Sequence, residues 1–166
     1  MNSTKAKLIL LLVLINGSAQ FAFSQKTLPA LHLNALDGSQ TNVNELSLDK
    51  VIVISFWATW CEPCLKELDA FNENLDFIEN DLNAKVLAVS IDDSRTISRI
   101  APMLNGNDWK FEVFIDSNQE AKRTLNIINI PHTILIYQNQ ILYESTGYLN
   151  GDEAALFAKI KEINRD

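Results

Sequence analysis

The feature that most constrains this 166-residue chain is a cysteine pair placed where the hydrophobic period changes. Val51 to Trp57 (VIVISFW) is an unbroken apolar, β-branched and aromatic run, which predicts a strand buried on both faces. Residues 62–79 then carry Leu65, Leu68, Phe71, Leu75 and Ile78 at intervals of three or four, the spacing of one helix face. Cys61-Glu62-Pro63-Cys64 falls at the junction. Two intervening residues let the thiols meet across the first helical turn. Pro63 suits that turn, because its missing amide proton would have no partner there. Cys61 is expected at the helix N-terminus, where free amides and the macrodipole favour an anion. It is therefore the expected nucleophile, with a depressed pKa. Cys64, one turn in, is the expected resolving thiol.

Other uses of two cysteines can be weighed on chemistry. A structural disulfide across so short a loop constrains the unfolded chain little. The only histidines are His32 and His132, and there is no second cysteine pair, so a zinc site of four thiolates is impossible within one chain. A copper site from Cys61, Cys64 and His132 stays open. Redox exchange is the favoured reading, since C-x-x-C between a strand and a helix in a βαβ context is its usual setting. It calls for no cofactor and no metal.

The rest of the chain reads as one α/β domain. Leu31-His32-Leu33 and Thr41-Asn42-Val43 flank Asp37-Gly38, which predicts a short hairpin. Val86 to Ile91 and Phe111 to Ile115 read as further strands, and Gln119 to Leu125 as a short helix. Ser94 to Leu104 reads as a helix capped by Ser94. Thr133 to Tyr137 and Ile141 to Ser145 read as an antiparallel pair turning at Asn139, followed by a helix over Asp152 to Ile163. Alternating strands and helices predict a layered α/β fold, and the closing hairpin makes its sheet mixed.

Residues 1–24 read as a secretory signal. Lys5 and Lys7 precede the apolar run Leu8 to Ile15, and Ala22-Phe23-Ser24 offers a cleavage site before Gln25, with a second candidate before Gln20. An uncleaved anchor is the alternative, although eight apolar residues fall well short of the roughly 20 that span a bilayer. Residues 25–166 form the expected folded domain. Residues 1–24 hold two lysines and no acid, so the net charge moves from −7 for the whole chain to −9 for the remainder. That charge weighs against nucleic acid as a partner. Export would place the protein where disulfides persist.

Phe56-Trp57-Ala58-Thr59-Trp60-Cys61-Glu62-Pro63-Cys64 closely resembles the active-site segment of the TlpA/ResA-type thioredoxin-like proteins, exported thiol–disulfide oxidoreductases of bacteria. Ile130-Pro131-His132-Thr133 resembles that family's cis-proline segment, and the likeness runs over roughly residues 28–164. The resemblance implies a thioredoxin-like fold: a mixed central sheet flanked by helices, with an N-terminal hairpin and a helix–strand insertion at about 94–115. It implies that Cys61 attacks, that Cys64 resolves, and that cis-Pro131 faces the disulfide and presents the backbone of Ile130 to an extended substrate. Trp60 is a further candidate for substrate contact. The implied protein is a monomer in the periplasm or elsewhere in the cell envelope. Its implied partners are disulfide-bearing envelope proteins, such as apocytochromes before haem attachment, and a membrane thiol electron donor. Neighbouring thiol peroxidases share the strand-to-helix cysteine, but they place proline ahead of it, and no proline precedes Cys61 in this segment.

Two departures stand out. Thioredoxin carries a buried Asp on the central strand six residues before the first cysteine, where this chain has Ser55. Glu67 is the candidate replacement, and the exported branch has a glutamate at this place. Glu67 falls about 60° around the helix from Cys64, on the edge of the apolar stripe. A carboxylate there is either partly desolvated with a raised pKa or a solvated surface acid. His132 stands where the family commonly has Thr. It could tune the thiolate or bind a metal, and we expect it to face solvent. Trp57, Trp109, Phe111 and Phe114 read as packing residues, and Asp92-Asp93 as a solvated loop.

Overall fold

The computed structural model describes residues 26–165. The expected signal segment and both cleavage sites lie outside the described residues. The strands are β1 (Lys26–Thr27), β2 (His32–Ala35), β3 (Gln40–Asn42), β4 (Val51–Trp57), β5 (Ala84–Ser90), β6 (Glu112–Ile115), β7 (His132–Tyr137) and β8 (Gln140–Thr146). The helices are α1 (Val43–Leu46), α2 (Glu62–Glu73), α3 (Ile100–Asn107), α4 (Glu120–Thr124) and α5 (Asp152–Ile163). The strands form one mixed sheet in the order β1-β8-β7-β4-β5-β6-β2-β3.

β4 lies inside this sheet, and all seven of its residues are buried. It runs parallel to β5, with Val51 opposite Ala84 and Trp57 opposite Ser90. It runs antiparallel to β7, with Ser55 opposite Thr133 and Phe56 opposite His132. Fully burying an aliphatic or aromatic side chain of this kind contributes roughly 1.5–3 kcal/mol, so β4 anchors the fold as well as the site. α2 and α5 pack on each other. The segment between α2 and β5 joins α5 through Phe77, which meets Phe157 edge-on at 5.7 Å between ring centres.

The closing hairpin turns at Gln138 and Asn139, both with positive φ, the geometry that matches a two-residue turn to strand twist. The N-terminal hairpin forms as expected. Ser39 N–H donates to Asp37 Oδ1 at 2.9 Å, and Gly38 takes φ +85°. β2 then pairs with β6, so the hairpin extends the sheet.

Two helix boundaries differ from expectation. α2 ends at Glu73, where the Asn74 side chain donates back to the Ala70 carbonyl at 2.9 Å. A wider turn over Phe77–Asp81 keeps Leu75 and Ile78 buried. The periodic stripe to residue 78 reports burial on one side, which the wider turn preserves. Ser94 caps no helix. Asp93 organises that loop, accepting the Arg95 amide on Oδ1 and the Thr96 and Ile97 amides on its carbonyl. A 3-10 turn over Ile97–Arg99 leads into α3. Pro102 is tolerated in a helix only within the first turn, which fits a start at Ile100 rather than Ser94.

Candidate active site

The antiparallel pairing of β4 with β7 builds the site. Phe56 lies opposite His132, so the end of β4 that feeds Cys61 lies beside the start of β7 that follows Pro131. The Ile130–Pro131 peptide bond is cis. Gly147 N–H donates to the Pro131 carbonyl at 2.9 Å and ties the loop after β8 to it. Neither the amide nor the carbonyl of Ile130 has a backbone partner among the described residues.

Cys61 N–H donates to the Ala58 carbonyl at 3.0 Å, closing a turn over Ala58–Cys61. Cys61 is then the N-cap of α2, with Pro63 in the first turn. The two cysteines form a disulfide with Cα atoms 5.3 Å apart. Cys61 keeps 7% of its surface exposed, while Cys64 is fully buried, the order expected of an attacking and a resolving sulfur. Trp60 is 60% exposed beside Cys61. Trp57 is buried and meets Trp109 edge-on at 5.4 Å.

Glu67 is buried, with 4% of its surface exposed. Its carboxylate bridges the two strands beneath α2. Ser55 donates to Oε2 at 2.6 Å, and Thr133 donates to Oε1 at 2.8 Å. Burial pushes its pKa up to about 7, against the pull of those two hydroxyls, and the charge of Asp152 adds to the rise. Thus Ser55, where thioredoxin has its buried Asp, hydrogen-bonds the buried Glu67 carboxylate instead.

His132 is buried, which corrects the expectation that it faces solvent. Its Nδ1 pairs with Thr146 Oγ1 at 2.8 Å, and its Nε2 lies 3.4 Å from Glu144 Oε2. Burial lowers its pKa, and the Glu144 carboxylate opposes that fall. Its neighbour Thr133 reaches Glu67, and adjacent strand residues point to opposite faces, so His132 serves the other side of the sheet. Among the described residues, no group of three or more His, Cys, Asp or Glu side chains is placed to hold a metal ion.

Asp92 is also buried, not solvated. It accepts the Thr59 amide at 2.8 Å, the Thr59 hydroxyl at 2.7 Å and the Ser90 hydroxyl at 2.7 Å. Burial raises its pKa, but the hydroxyl donors, with Thr59 foremost, outweigh burial and hold it below the usual carboxylate range. Asp92, Thr59, Ser55 and Thr133 all escaped the sequence reading as site residues. Ser55 carried a signal, being a polar position inside an otherwise apolar run.

Residues 25–145 match the AhpC/TSA family, well over half the chain. The chain belongs to the AhpC/TSA family. Within it, the chain is 25% identical over 152 residues to the thiol-disulfide oxidoreductase ResA of Bacillus cereus, covering 84% of this chain and 86% of that protein. It is 27% identical over 122 residues to the sporulation thiol-disulfide oxidoreductase A of Bacillus subtilis, covering 72% of each. A solved thioredoxin-like protein from Porphyromonas gingivalis superimposes with a TM-score of 0.69 at 36% identity, covering 84% of this chain and 93% of that one. The fold is thioredoxin-like, and this AhpC/TSA member is a thiol–disulfide oxidoreductase.

Proposed function

We propose that this oxidoreductase is exported and reduces disulfides of proteins in the bacterial cell envelope, using Cys61, Cys64 and Glu67. The observation that carries the site assignment is the buried Glu67 carboxylate, one helical turn beyond Cys64 and hydrogen-bonded to both strands beneath it. In the reducing direction the Cys61 thiolate attacks a substrate disulfide, forms a mixed disulfide and releases one substrate thiolate. Glu67 accepts the Cys64 proton, near its own pKa of about 7. Cys64 then attacks Cys61 Sγ and releases the second substrate thiolate. Two electrons have passed to the substrate, and the Cys61–Cys64 disulfide is left. A membrane thiol donor returns the electrons. Trp60 and the unpaired backbone of Ile130 beside Pro131 receive an extended substrate segment, and apocytochromes before haem attachment are candidate substrates.

The deciding measurement is the reduction potential of the Cys61–Cys64 pair. A value near −270 mV supports a reductant, and one near −120 mV overturns that direction in favour of an oxidant. Export is tested by terminal sequencing of protein from its native host. A start at Gln25 or Gln20 supports cleavage, and a retained Met1 overturns it.

A further inference from the structure

We propose that Asp92 is a positioning residue for thiol–disulfide exchange: from the end of β5 it fixes Thr59, and through Thr59 the turn that delivers Cys61 to the start of α2. Asp92 is fully buried, and it takes part in none of the ion pairs among the described residues. Burying a charge without a cation is costly, so its neutral donors must compensate. Three of them converge on it. Oδ1 takes the Thr59 hydroxyl at 2.7 Å, while Oδ2 takes the Thr59 amide at 2.8 Å and the Ser90 hydroxyl at 2.7 Å. The Asp92 amide donates back to Ser90 Oγ at 3.1 Å, which pins the carboxylate to the end of β5.

Two bonds to one residue, from its backbone and from its side chain, fix both the place and the tilt of Thr59. Thr59 is the second residue of the turn closed by the Cys61 amide and the Ala58 carbonyl. Cys61 makes no side-chain capping bond of its own. Its position is therefore set by α2 on one side and by the Asp92 clamp on the other. Closing the disulfide depends on the effective concentration of Cys61 near Cys64, which a fixed turn keeps high. The clamp thus favours the disulfide and makes the dithiol a stronger reductant.

The test is the reduction potential of the whole protein, equilibrated with glutathione, for the parent, Asp92→Asn, Thr59→Val and Thr59→Ser. Asn offers one acceptor oxygen in place of two, so the clamp loses at least one bond. Asp92→Asn should lower the equilibrium constant for disulfide formation tenfold or more, a potential about 30 mV less negative. Thr59→Val should move it the same way by less, and Thr59→Ser should match the parent. A carboxylate that merely supports the fold would lower the thermal midpoints of the disulfide and dithiol forms alike and leave the potential where it was. A folded Asp92→Asn protein with the parent's potential overturns the proposal. Should Asp92→Asn fail to fold, the Thr59 pair decides, and equal potentials for Val and Ser overturn it.

Discussion

Thr133 donates its hydroxyl to Glu67 at 2.8 Å, joining the strand that follows Pro131 to the helix that carries both cysteines. Ser55 completes the bridge from β4 at 2.6 Å. The carboxylate therefore senses both strands, and its proton affinity is set by burial opposed by two hydroxyls.

That opposition can be measured in the disulfide form, where no thiol titrates. An unfolded glutamate has a pKa near 4.5, and the folded Glu67 near 7. Between these values the native state binds the extra proton, so stability falls as pH rises from about 4.5 to 7 and then levels off. The span corresponds to about 3 kcal/mol. Glu67→Gln should remove this slope, as read from denaturant melts at pH 5 and pH 8. An unchanged slope would show that Glu67 does not titrate in this window.

Thr133→Val deletes one of the hydroxyls that hold the carboxylate ionised. The Glu67 pKa should rise above about 7, while Thr133→Ser should restore it. A carboxyl NMR titration of the disulfide form reads this directly.

Glu67→Gln should also change the dithiol. An anion close to a thiol disfavours its thiolate, so removing the charge should lower the apparent pKa of Cys61 and, more strongly, of Cys64. The resolving attack by Cys64 should slow, because its proton acceptor is gone. Alkylation rates across pH and stopped-flow exchange with a model disulfide test both. Superimposable curves would reduce Glu67 to a structural acid.

Cys61 keeps some exposed surface and Cys64 has none, which predicts the order of attack. Alkylation of the reduced protein near pH 7 should label Cys61 before Cys64, as mapped by peptide mass. Cys64→Ser should trap mixed disulfides with client proteins, and Cys61→Ser should not.

His132 supplies a pH effect of opposite sign. Burial depresses its pKa below the ordinary 6.5, so the unfolded chain binds the proton more readily. Its contribution is complete above about pH 6.5 and is lost as pH falls through the lower folded value. His132→Gln should blunt the acid-side loss of stability in the disulfide form.

The parts of this molecule that follow a period were legible in advance. β4 was readable because both its faces are buried, and α5 because its apolar stripe and its hydrogen-bond ladder end together at Ile163. The cysteine pair was readable because it sits where one period gives way to the other. α2 was overextended because the stripe continues through a wider turn that the pattern cannot distinguish. Two adjacent acids are usually solvated, and nothing local in the sequence sets Asp92 apart. Its donors, the Thr59 backbone and the Ser90 hydroxyl, are supplied by tertiary packing and leave no local mark. His132 misled for the same reason, since its partners come from β8. The helical period puts Glu67 on the edge of the stripe, and only the register of β4 on β7 decides that this edge is covered.

At the far edge of the sheet, β3 stops after Gln40, Thr41 and Asn42, because the Asn42 side chain accepts the Asn44 amide and turns the chain into α1. A protein proposed to receive extended backbone of other chains runs the risk of pairing with them in the wrong place. Long, flat, apolar outer strands are templates for such pairing and for fibrillar stacking. Three polar residues ending in a helix cap give an incoming chain little to zip onto. If substrate docks at Ile130 as proposed, incoming backbone is thereby left to the peptide groups that lack a backbone partner, beside the cysteine pair.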